Sequence, residues 1–184
     1  MKYNKWFKTK DDKLVLVRNA VVEDAVAVTE LSNNNYLNSP FLSKGLEDPG
    51  DSVEGISSYI EDLLPEKREA FLVALINNRV VGFAHLDGCG SRRKMLHRCE
   101  IALGVDIAFR NQGVGHCLMK ALLTLAKEAA YEQVELSVIE DNVLGVSLYK
   151  TCGFEATGKL PHAFKYDDGR YGDFLQMVCM LDKL

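Results

Sequence analysis

The chain has 184 residues, of which 47% are hydrophobic and 26% are charged. That length suffices for one globular domain but is short for two, and the composition excludes a disordered tail or a collagen-like repeat. The 22 basic and 26 acidic residues give a net charge of −4, which excludes the strongly basic footprint of a nucleic-acid-binding protein. No apolar run approaches the roughly 18 residues that cross a bilayer, so we expect neither a nucleic-acid partner nor a membrane span.

The N-terminal segment, the cysteines and the histidines indicate a cytoplasmic protein without a metal site. Met1–Lys8 carries basic residues but neither the apolar stretch nor the cleavage site of a secretion signal. The cysteines are odd in number and form no Cys-x-x-Cys pair, which favours free, buried thiols over a disulfide framework or a zinc knuckle. The histidines lack ligand spacing, so no bound metal is expected. These residues are Cys89, Cys99, Cys117, Cys152 and Cys179, and His85, His97, His116 and His162.

Hydrophobic periodicity predicts one mixed α/β domain whose middle strands are joined by hairpins, so its sheet is mixed rather than all parallel. The predicted strands are Leu14–Arg18, Phe71–Ile76, Val80–Leu86, Cys99–Val105, Val134–Ile139, Glu155–His162 and Phe174–Leu181. The first predicted helix follows Asn19, and the second runs from about Ser52 to Leu64, ended by Pro65. The third opens at Gly113, and the fourth spans Val143–Tyr149. The turn-rich stretch from Asn33 to Gly50 is expected to be irregular, and the first helix to bury Val22, Ala25, Val26 and Thr29.

The segment from Leu103 to Gly115 predicts an anion-binding site. There a strand ends, a short turn follows, and glycines open a long helix. The start of a helix has unpaired backbone N–H groups and the positive end of the helix dipole, and glycines remove the side chains that would keep an anion away. Such a site suits a diphosphate, and Arg110 adds a positive charge that can help to hold it.

Two common phosphate loops are excluded by the residues that follow. A Walker-type loop ends in Gly-Lys-Ser/Thr, but Gly115 is followed by His116 and Cys117. A dinucleotide fingerprint needs a third glycine at position 118, which is Leu118. What remains is Arg-x-x-Gly-x-Gly after a strand.

Three segments in matching order carry a family resemblance. Arg110–Gly115 reads Arg-Asn-Gln-Gly-Val-Gly, Arg18–Asp24 precedes it as a strand entering a helix, and Asn142–Glu155 contains Asn-x(6)-Tyr-x(3)-Gly-Phe. Together they resemble the pyrophosphate loop, the opening strand and helix, and the C-terminal signature of the GNAT superfamily of acyl-CoA-dependent N-acetyltransferases. The resemblance covers roughly residues 14 to 182.

The resemblance implies a fold. It is a single GNAT-like α/β (α+β) domain over residues 14–184, preceded by an N-terminal leader at residues 1–13. The central sheet would be mixed and largely antiparallel, with about seven strands flanked by four helices. It would splay between the fourth and fifth strands, which are Cys99–Val105 and Val134–Ile139.

The resemblance also implies acetyl-CoA as the acyl donor, bound where those strands splay apart. Leu103, Gly104 and Val105 would hold the pantetheine arm, and backbone groups of Leu103 and Val105 would polarise the thioester carbonyl. Asn142 would contact the cofactor or cap the helix that it begins. The pyrophosphate would be held by backbone amides of Arg110, Asn111, Gln112, Gly113, Val114, Gly115 and His116.

Two residues are the catalytic candidates. By resemblance, Tyr149 is the general acid that donates to the departing thiolate, and it also contacts the cofactor. Glu100 is the leading candidate for the general base, since several small-molecule acetyltransferases of the superfamily carry a catalytic Glu at this position. Strand alternation places Glu100, Ala102 and Gly104 on one face of the sheet.

Acetyl transfer to a primary amine of a small molecule or peptide is the principal functional hypothesis, so acetyl-CoA and an amine acceptor are the expected partners. One alternative is a protein N-terminal or lysine acetyltransferase of the ribosomal-protein type. Ser137 stands where that type carries its catalytic Glu, which weakens this interpretation, and Glu135 is a weaker substitute. The second alternative is a non-catalytic acyl-CoA sensor. Dimers are common in the family, so a homodimer stays open.

Overall fold

The computed structural model describes residues 1–44, 48–63 and 68–183. The strands are β1 (Asn4–Lys8), β2 (Leu14–Asn19), β3 (Ala70–Ile76), β4 (Arg79–Gly88), β5 (Arg98–Val105), β6 (Gln133–Ile139), β7 (Glu155–Lys165) and β8 (Tyr171–Met180). The α-helices are α1 (Ala25–Asn38), α2 (Val53–Leu63), α3 (Val114–Glu128) and α4 (Val143–Thr151). None of the helices in these ranges combines the length and the apolar character that a membrane span needs.

All of these strands join one sheet, in the order β1-β2-β3-β4-β5-β6-β8-β7. Neighbouring strands are antiparallel except β5 and β6, which run parallel. The β5–β6 pairing extends only from Arg98 opposite Gln133 to Glu100 opposite Glu135. Beyond that point the two strands separate. The predicted mixed sheet, with a splay between these two strands, is therefore confirmed.

The sheet has eight strands where about seven were predicted, because the basic N-terminal segment forms β1. β1 pairs antiparallel with β2, from Asn4 opposite Arg18 to Lys8 opposite Leu14. Tyr3, directly before β1, is 6% exposed. An edge strand is paired on one side only and commonly carries lysines, so β1 lacks the apolar pattern by which a strand is recognised in a sequence. Residues 4–8 thus belong to the folded sheet, although the sequence placed them in a leader.

Helices cover both faces of the sheet and enclose two apolar clusters. On one face, Leu118, Leu122 and Leu125 of α3 are fully buried against the strands. The other cluster lies beneath α1 and α2 and comprises Ala20, Ala25, Val28, Ile60, Phe71, Val73 and Leu75. β3 is covered on both faces, which explains why its sequence is an unbroken apolar run.

α1 continues through the asparagines that were predicted to be irregular. Asparagine has weak helix propensity, but the side chain of Asn35 is 3% exposed and accepts a hydrogen bond from Arg110. Asn38 bonds back to Asn34, one turn earlier. These contacts compensate for the weak local preference. The predicted end of the second helix at Leu64 and Pro65 lies outside the described residues.

The buried face of α1 also differs from the predicted one. A 3-10 turn at Val22–Asp24 precedes the helix, so the α-helical period starts three residues later than predicted. Ala25 and Thr29 are buried as predicted, whereas Val22 and Val26 are exposed and Val28 is buried in their place. The sequence pattern therefore identified the helix and part of its buried face.

Candidate active site

A cleft of about 1450 Å³ lies beside the end of β5. Its walls are the last residues of β5, the loop that leads to α3, the first turn of α3, α4 and part of α1. The predicted cofactor residues that line it are Leu103, Gly104, Val105, Arg110, Asn111, Gln112, Gly113, Gly115, His116, Asn142 and Tyr149. Val114 is instead buried in the core, and the ring of His116 is hydrogen-bonded to Thr151 of α4 at 3.0 Å.

The loop between β5 and α3 presents the start of α3 to the cleft. Asn111 and Gly113 have φ values of +60° and +84°, left-handed conformations that turn the chain into the helix. The N–H of Cys117 donates to the carbonyl of Gly113 at 3.1 Å, so the N–H groups before it have no acceptor within the helix. Together with the helix dipole, these groups fit an anion such as a pyrophosphate.

The turn between β1 and β2 packs beside this loop. The Nζ of Lys13 donates to Oε1 of Gln112, and Nε2 of Gln112 donates to the carbonyl of Ala108 at 2.8 Å. Residues 8–11 also line the cleft. The N-terminal hairpin therefore supports the phosphate loop, a role that the sequence did not indicate.

Arg110 turns its guanidinium toward β5 and α1. Its Nε donates to the carbonyl of Val105 at 3.2 Å, and its Nη2 donates to Oδ1 of Asn35 at 3.1 Å. Burial lowers the pKa of Arg110, while the charge of Asp106 opposes that effect. The described contacts of this side chain are thus structural, and its predicted contact with a pyrophosphate stays a prediction.

The end of β5 has an open edge toward β6, because pairing stops at Glu100. The backbone of Leu103, Gly104 and Val105 lies beyond that point. Unpaired N–H and C=O groups on a strand edge can bond an extended chain that carries amides, such as pantetheine. A Cβ at Gly104 would lie 2.8 Å from Cζ of Phe83 on β4, so the close approach of that ring requires glycine here.

Asn142 caps α4 and lines the cleft. Its Oδ1 accepts the N–H of Gly145 at 3.0 Å, which satisfies one of the unpaired donors at the helix start. α4 packs closely on α3, since a Cβ at Gly115 would lie 3.0 Å from a methyl carbon of Leu148. The capping role expected of Asn142 is therefore observed, and its cofactor contact stays a prediction.

Tyr149 lines the same cleft from α4. Its ring lies 6.0 Å from that of Phe154, centroid to centroid. Burial raises the pKa of Tyr149 to about 12, so the phenol keeps its proton at neutral pH. Within the described part of the chain its hydroxyl makes no hydrogen bond, which leaves it free to donate to a ligand.

Glu100 does not line the cleft. It is exposed on β5 opposite Asp87 of β4, and the first residue of β5 that reaches the cleft is Ala102. Its role as the base stays a prediction. Glu135, its neighbour on β6, is 7% exposed and ion-paired with Arg98, which makes it a structural carboxylate.

A chain of three polar side chains, missed from the sequence, approaches the cleft from β4. His85 lines the cleft opposite Ala102. Its Nδ1 lies 2.5 Å from Oδ2 of Asp87, and the hydroxyl of Tyr59 on α2 donates to Oδ1 of Asp87 at 2.9 Å. In the sequence, His85 and Asp87 lie two residues apart on a predicted strand, and this spacing puts both side chains on one face of the sheet. Tyr59 is brought to them only by the packing of α2.

Asp51 bonds both to α1 and to the segment that follows that helix, residues 39–44. Ser32 of α1 donates to Oδ2 of Asp51 at 2.6 Å, and Lys44 forms an ion pair with the same carboxylate. Phe41 and Leu42, in the same segment, line the cleft. Burial opposes the ionisation of Asp51, but its bonds to Lys44 and Ser32 prevail and lower its pKa.

Comparison with known proteins places this geometry in context. Residues 34–154 match a family model described as the Acetyltransferase (GNAT) family. The L-amino acid N-acetyltransferase AaaT of Escherichia coli K12 is 31% identical over 110 residues, which cover 58% of this chain and 65% of AaaT. Human N-acetyltransferase 8 is 29% identical over 107 residues, which cover 56% of this chain and 46% of that protein. The chain thus spans between about half and two thirds of the length of these relatives.

Solved structures share the fold at low sequence identity. An acetyltransferase of the GNAT family from Streptococcus pneumoniae superposes with a TM-score of 0.84 at 20% identity, covering 90% of this chain and 99% of that one. YncA of Salmonella typhimurium, a putative acetyltransferase solved with its cofactor acetyl-CoA, gives 0.82 at 22% identity, covering 92% and 95%. A ribosomal-protein-alanine N-acetyltransferase from Brucella melitensis gives 0.80 at 22% identity, covering 89% and 98%.

Proposed function

The chain belongs to the GNAT family of acetyltransferases, and on that premise we propose that it is an enzyme that transfers an acetyl group from acetyl-CoA to a primary amine. One observation carries the proposal: the start of α3, the open edge of β5 and Tyr149 all line a single cleft. An anion site, an open strand edge and a phenol match the pyrophosphate, the pantetheine amides and the thioester of acetyl-CoA. Acetyl-CoA supplies the activated acetyl group.

Tyr149 acts as a hydrogen-bond donor to the sulfur atom that leaves. Its pKa is about 12, whereas that of a free thiol is about 8.5, so complete proton transfer to a thiolate is uphill by about 5 kcal/mol. A hydrogen bond from the phenol stabilises the growing negative charge without that transfer. The proton that ends on the thiol then comes from solvent.

The acceptor that we propose is the amine of a small molecule or a peptide. The cleft wall formed by α1 and the segment after it carries both aromatic and polar side chains, among them Tyr36, Phe41 and Asn35. AaaT is named for L-amino acids, which supports a small acceptor. A second candidate is a protein N-terminus, because a relative from Dictyostelium discoideum, 28% identical over 62% of this chain, is named N-alpha-acetyltransferase 30.

Two measurements on the purified chain test the function. Calorimetry with CoA and acetyl-CoA reports binding, and a thiol-release assay with panels of amino acids, alkylamines and peptides reports transfer. Binding together with release of thiol on small amines or short peptides supports the proposal. Release only with protein substrates supports the second candidate. Binding without release on any amine indicates a sensor of acyl-CoA, and a lack of binding contradicts the assignment of the cleft.

A further inference from the structure

The acceptor amine arrives as an ammonium ion, and some group must take a proton before its nitrogen can attack the thioester. Glu100, the base predicted from the sequence, lies outside the cleft. His85 lies inside it, on the β4 residue directly opposite Ala102. Opposed Cα atoms of antiparallel strands are about 4.5–5.5 Å apart, so His85 stands beside the stretch of β5 assigned to pantetheine.

From this geometry we propose that His85 is the general base of the acetyl transfer and that Asp87 and Tyr59 are its positioning residues. The proposal rests on the proposed function, because it assigns a step of the same reaction. The proposal assigns the role of the base to the imidazole of His85, which lines the cleft, rather than to the carboxylate of Glu100, which does not.

Asp87 fixes which nitrogen of His85 carries the proton. An ionised carboxylate can only accept hydrogen bonds, so the Nδ1 that lies 2.5 Å from its Oδ2 must be the protonated nitrogen. Nε2 then keeps its lone pair and can accept a proton. Burial opposes the ionisation of Asp87, but the hydrogen bonds from His85 and Tyr59 prevail and lower its pKa.

Tyr59 holds the other oxygen of Asp87. Its hydroxyl donates to Oδ1 at 2.9 Å, and burial, together with the nearby Asp87, raises the pKa of Tyr59, so it stays a donor throughout the reaction. Its ring also meets that of His85 edge to face, with centroids 6.4 Å apart and planes at 89°. α2 therefore fixes both the carboxylate and the orientation of the imidazole.

The charged and titratable groups around this part of the cleft come from every neighbouring element. They are Asp87 on β4, Glu100 on β5, Glu69 before β3, Tyr59 on α2, Tyr36 on α1 and Arg110 from the phosphate loop. Of these, Asp87 is the group in direct contact with the ring of His85 through a hydrogen bond. Asp87 thus holds the ring through Nδ1 and leaves Nε2 as the nitrogen that takes up the proton.

The step balances as follows. The ammonium gives one proton to Nε2 of His85 and becomes a neutral amine. The nitrogen lone pair forms the amide C–N bond while the thioester C–S bond breaks, and the nitrogen loses its second proton to solvent. The thiolate takes one proton from solvent and the imidazolium returns its own, so each turnover releases one free proton.

The first test is spectroscopic and needs no turnover. In ¹⁵N-detected NMR at pH 8, the ring of His85 is expected to show a protonated Nδ1 and an unprotonated Nε2, and Asp87→Asn is expected to disturb that pattern. A proton on Nε2 in the wild-type protein would overturn the proposal even if the protein is active. The expected pattern without turnover on any amine would instead contradict the proposed function.

The second test is kinetic. His85→Gln is expected to lower kcat about 100-fold or more and to leave the Kd of acetyl-CoA within twofold. His85→Ala is expected to recover activity when free imidazole is added. His97→Gln is the matched control, because His97 does not line the cleft. Near-normal kcat in His85→Gln, or a larger loss in Glu100→Gln than in His85→Gln, would overturn the proposal.

A separate experiment tests the positioning roles of Tyr59 and Asp87. Tyr59→Phe and Asp87→Asn are expected to lower kcat less than His85→Gln does, with the KM of the amine little changed, and imidazole is not expected to rescue them. Thermal unfolding of each variant separates this effect from loss of the fold. A loss of activity that tracks only the fall in Tm would indicate a structural role for both residues and would remove them from the proposal.

Discussion

Thr9 lies against Gly113, so the turn of the N-terminal hairpin touches the residue that opens α3. A Cβ at position 113 would be 3.2 Å from both Cβ and Cγ2 of Thr9. Thr9 itself is 8% exposed, and its hydroxyl accepts the N–H of Lys13 at 3.2 Å. The hairpin and the phosphate loop therefore pack together, and a substitution in either is expected to alter the conformation of the other.

Gly113→Ala is expected to weaken acetyl-CoA binding and to destabilise the fold. An alanine at φ +84° is strained by about 1–3 kcal/mol, and its methyl group would press on Thr9. Calorimetry should show a higher Kd for CoA, and urea unfolding a lower free energy of unfolding. Gly158→Ala is the matched control, since a Cβ there would meet its nearest neighbour only at 4.0 Å. Equal behaviour of the two variants would contradict this account of the loop.

Tyr3→Ala is expected to cost about 3 kcal/mol of unfolding free energy, a typical loss for a buried aromatic residue. Tyr3 is 6% exposed, and its backbone N–H is bonded to Asn19. Trp6→Ala, on β1 itself, removes a side chain that is 63% exposed and should change stability by less than about 0.5 kcal/mol. The comparison is made by urea unfolding. Equal and small effects would mean that residues 1–8 do not stabilise the fold and behave as part of the leader predicted at residues 1–13.

The sequence predicted the parts of the fold that have a strong local pattern. α3 begins directly after Gly113, where it was predicted to open, and β3 is an apolar run that was located to within one residue. β1 was missed because its lysines face solvent and only its pairing with β2 makes it a strand. α1 was found with only part of its buried face, because the 3-10 turn before it shifts the helical period.

The residues of the candidate site likewise divide into those that a local sequence pattern predicted and those that it did not. The phosphate loop was predictable because its glycines and the start of α3 are contiguous in sequence. The contact predicted for the backbone amide of Val114 stays a prediction, and its side chain packs in the core. The His85–Asp87–Tyr59 chain depends on the pairing of β4 with β5 and on the packing of α2, which are relations between distant segments that no local pattern records.

Tyr149→Phe is expected to lower kcat at least about tenfold while leaving the Kd of acetyl-CoA unchanged, because it removes a hydrogen bond made to the departing sulfur. Since the pKa of Tyr149 is about 12, its ionisation should produce no descending limb of kcat below about pH 10. Stopped thiol-release assays across pH measure both effects. Tyr131→Phe, in a buried tyrosine outside the cleft, is the control. A kcat near the wild-type value would remove Tyr149 from the mechanism.

Asp51→Asn is expected to destabilise the chain at pH 7 and to make less difference in acid. The pKa of Asp51 is lower in the folded chain than its ordinary value of about 3.9. Its contribution is therefore complete above about pH 4 to 5 and is lost as pH falls through the folded pKa. Urea unfolding at pH 7 and at pH 3 measures the change, with the exposed Asp62→Asn as the control. A gap between wild type and Asp51→Asn that is as large at pH 3 would contradict the ion pair with Lys44.

An imidazole base should favour α-amines over lysine-type amines. At pH 7, deprotonation of an α-ammonium of pKa about 8 costs about 1.4 kcal/mol, whereas that of an alkylammonium of pKa about 10.4 costs about 5 kcal/mol. We therefore expect the amide of Nε-acetyl-lysine to be a better acceptor at pH 7 than the amide of Nα-acetyl-lysine. The free-amine fractions differ about 200-fold at that pH, so the ratio of kcat/KM should approach that value and fall steadily as pH rises toward 10. Both substrates have the same skeleton, and the thiol-release assay compares them directly. A ratio that does not change with pH, or a preference for the ε-amine at pH 7, would show that deprotonation of the amine does not select the acceptor.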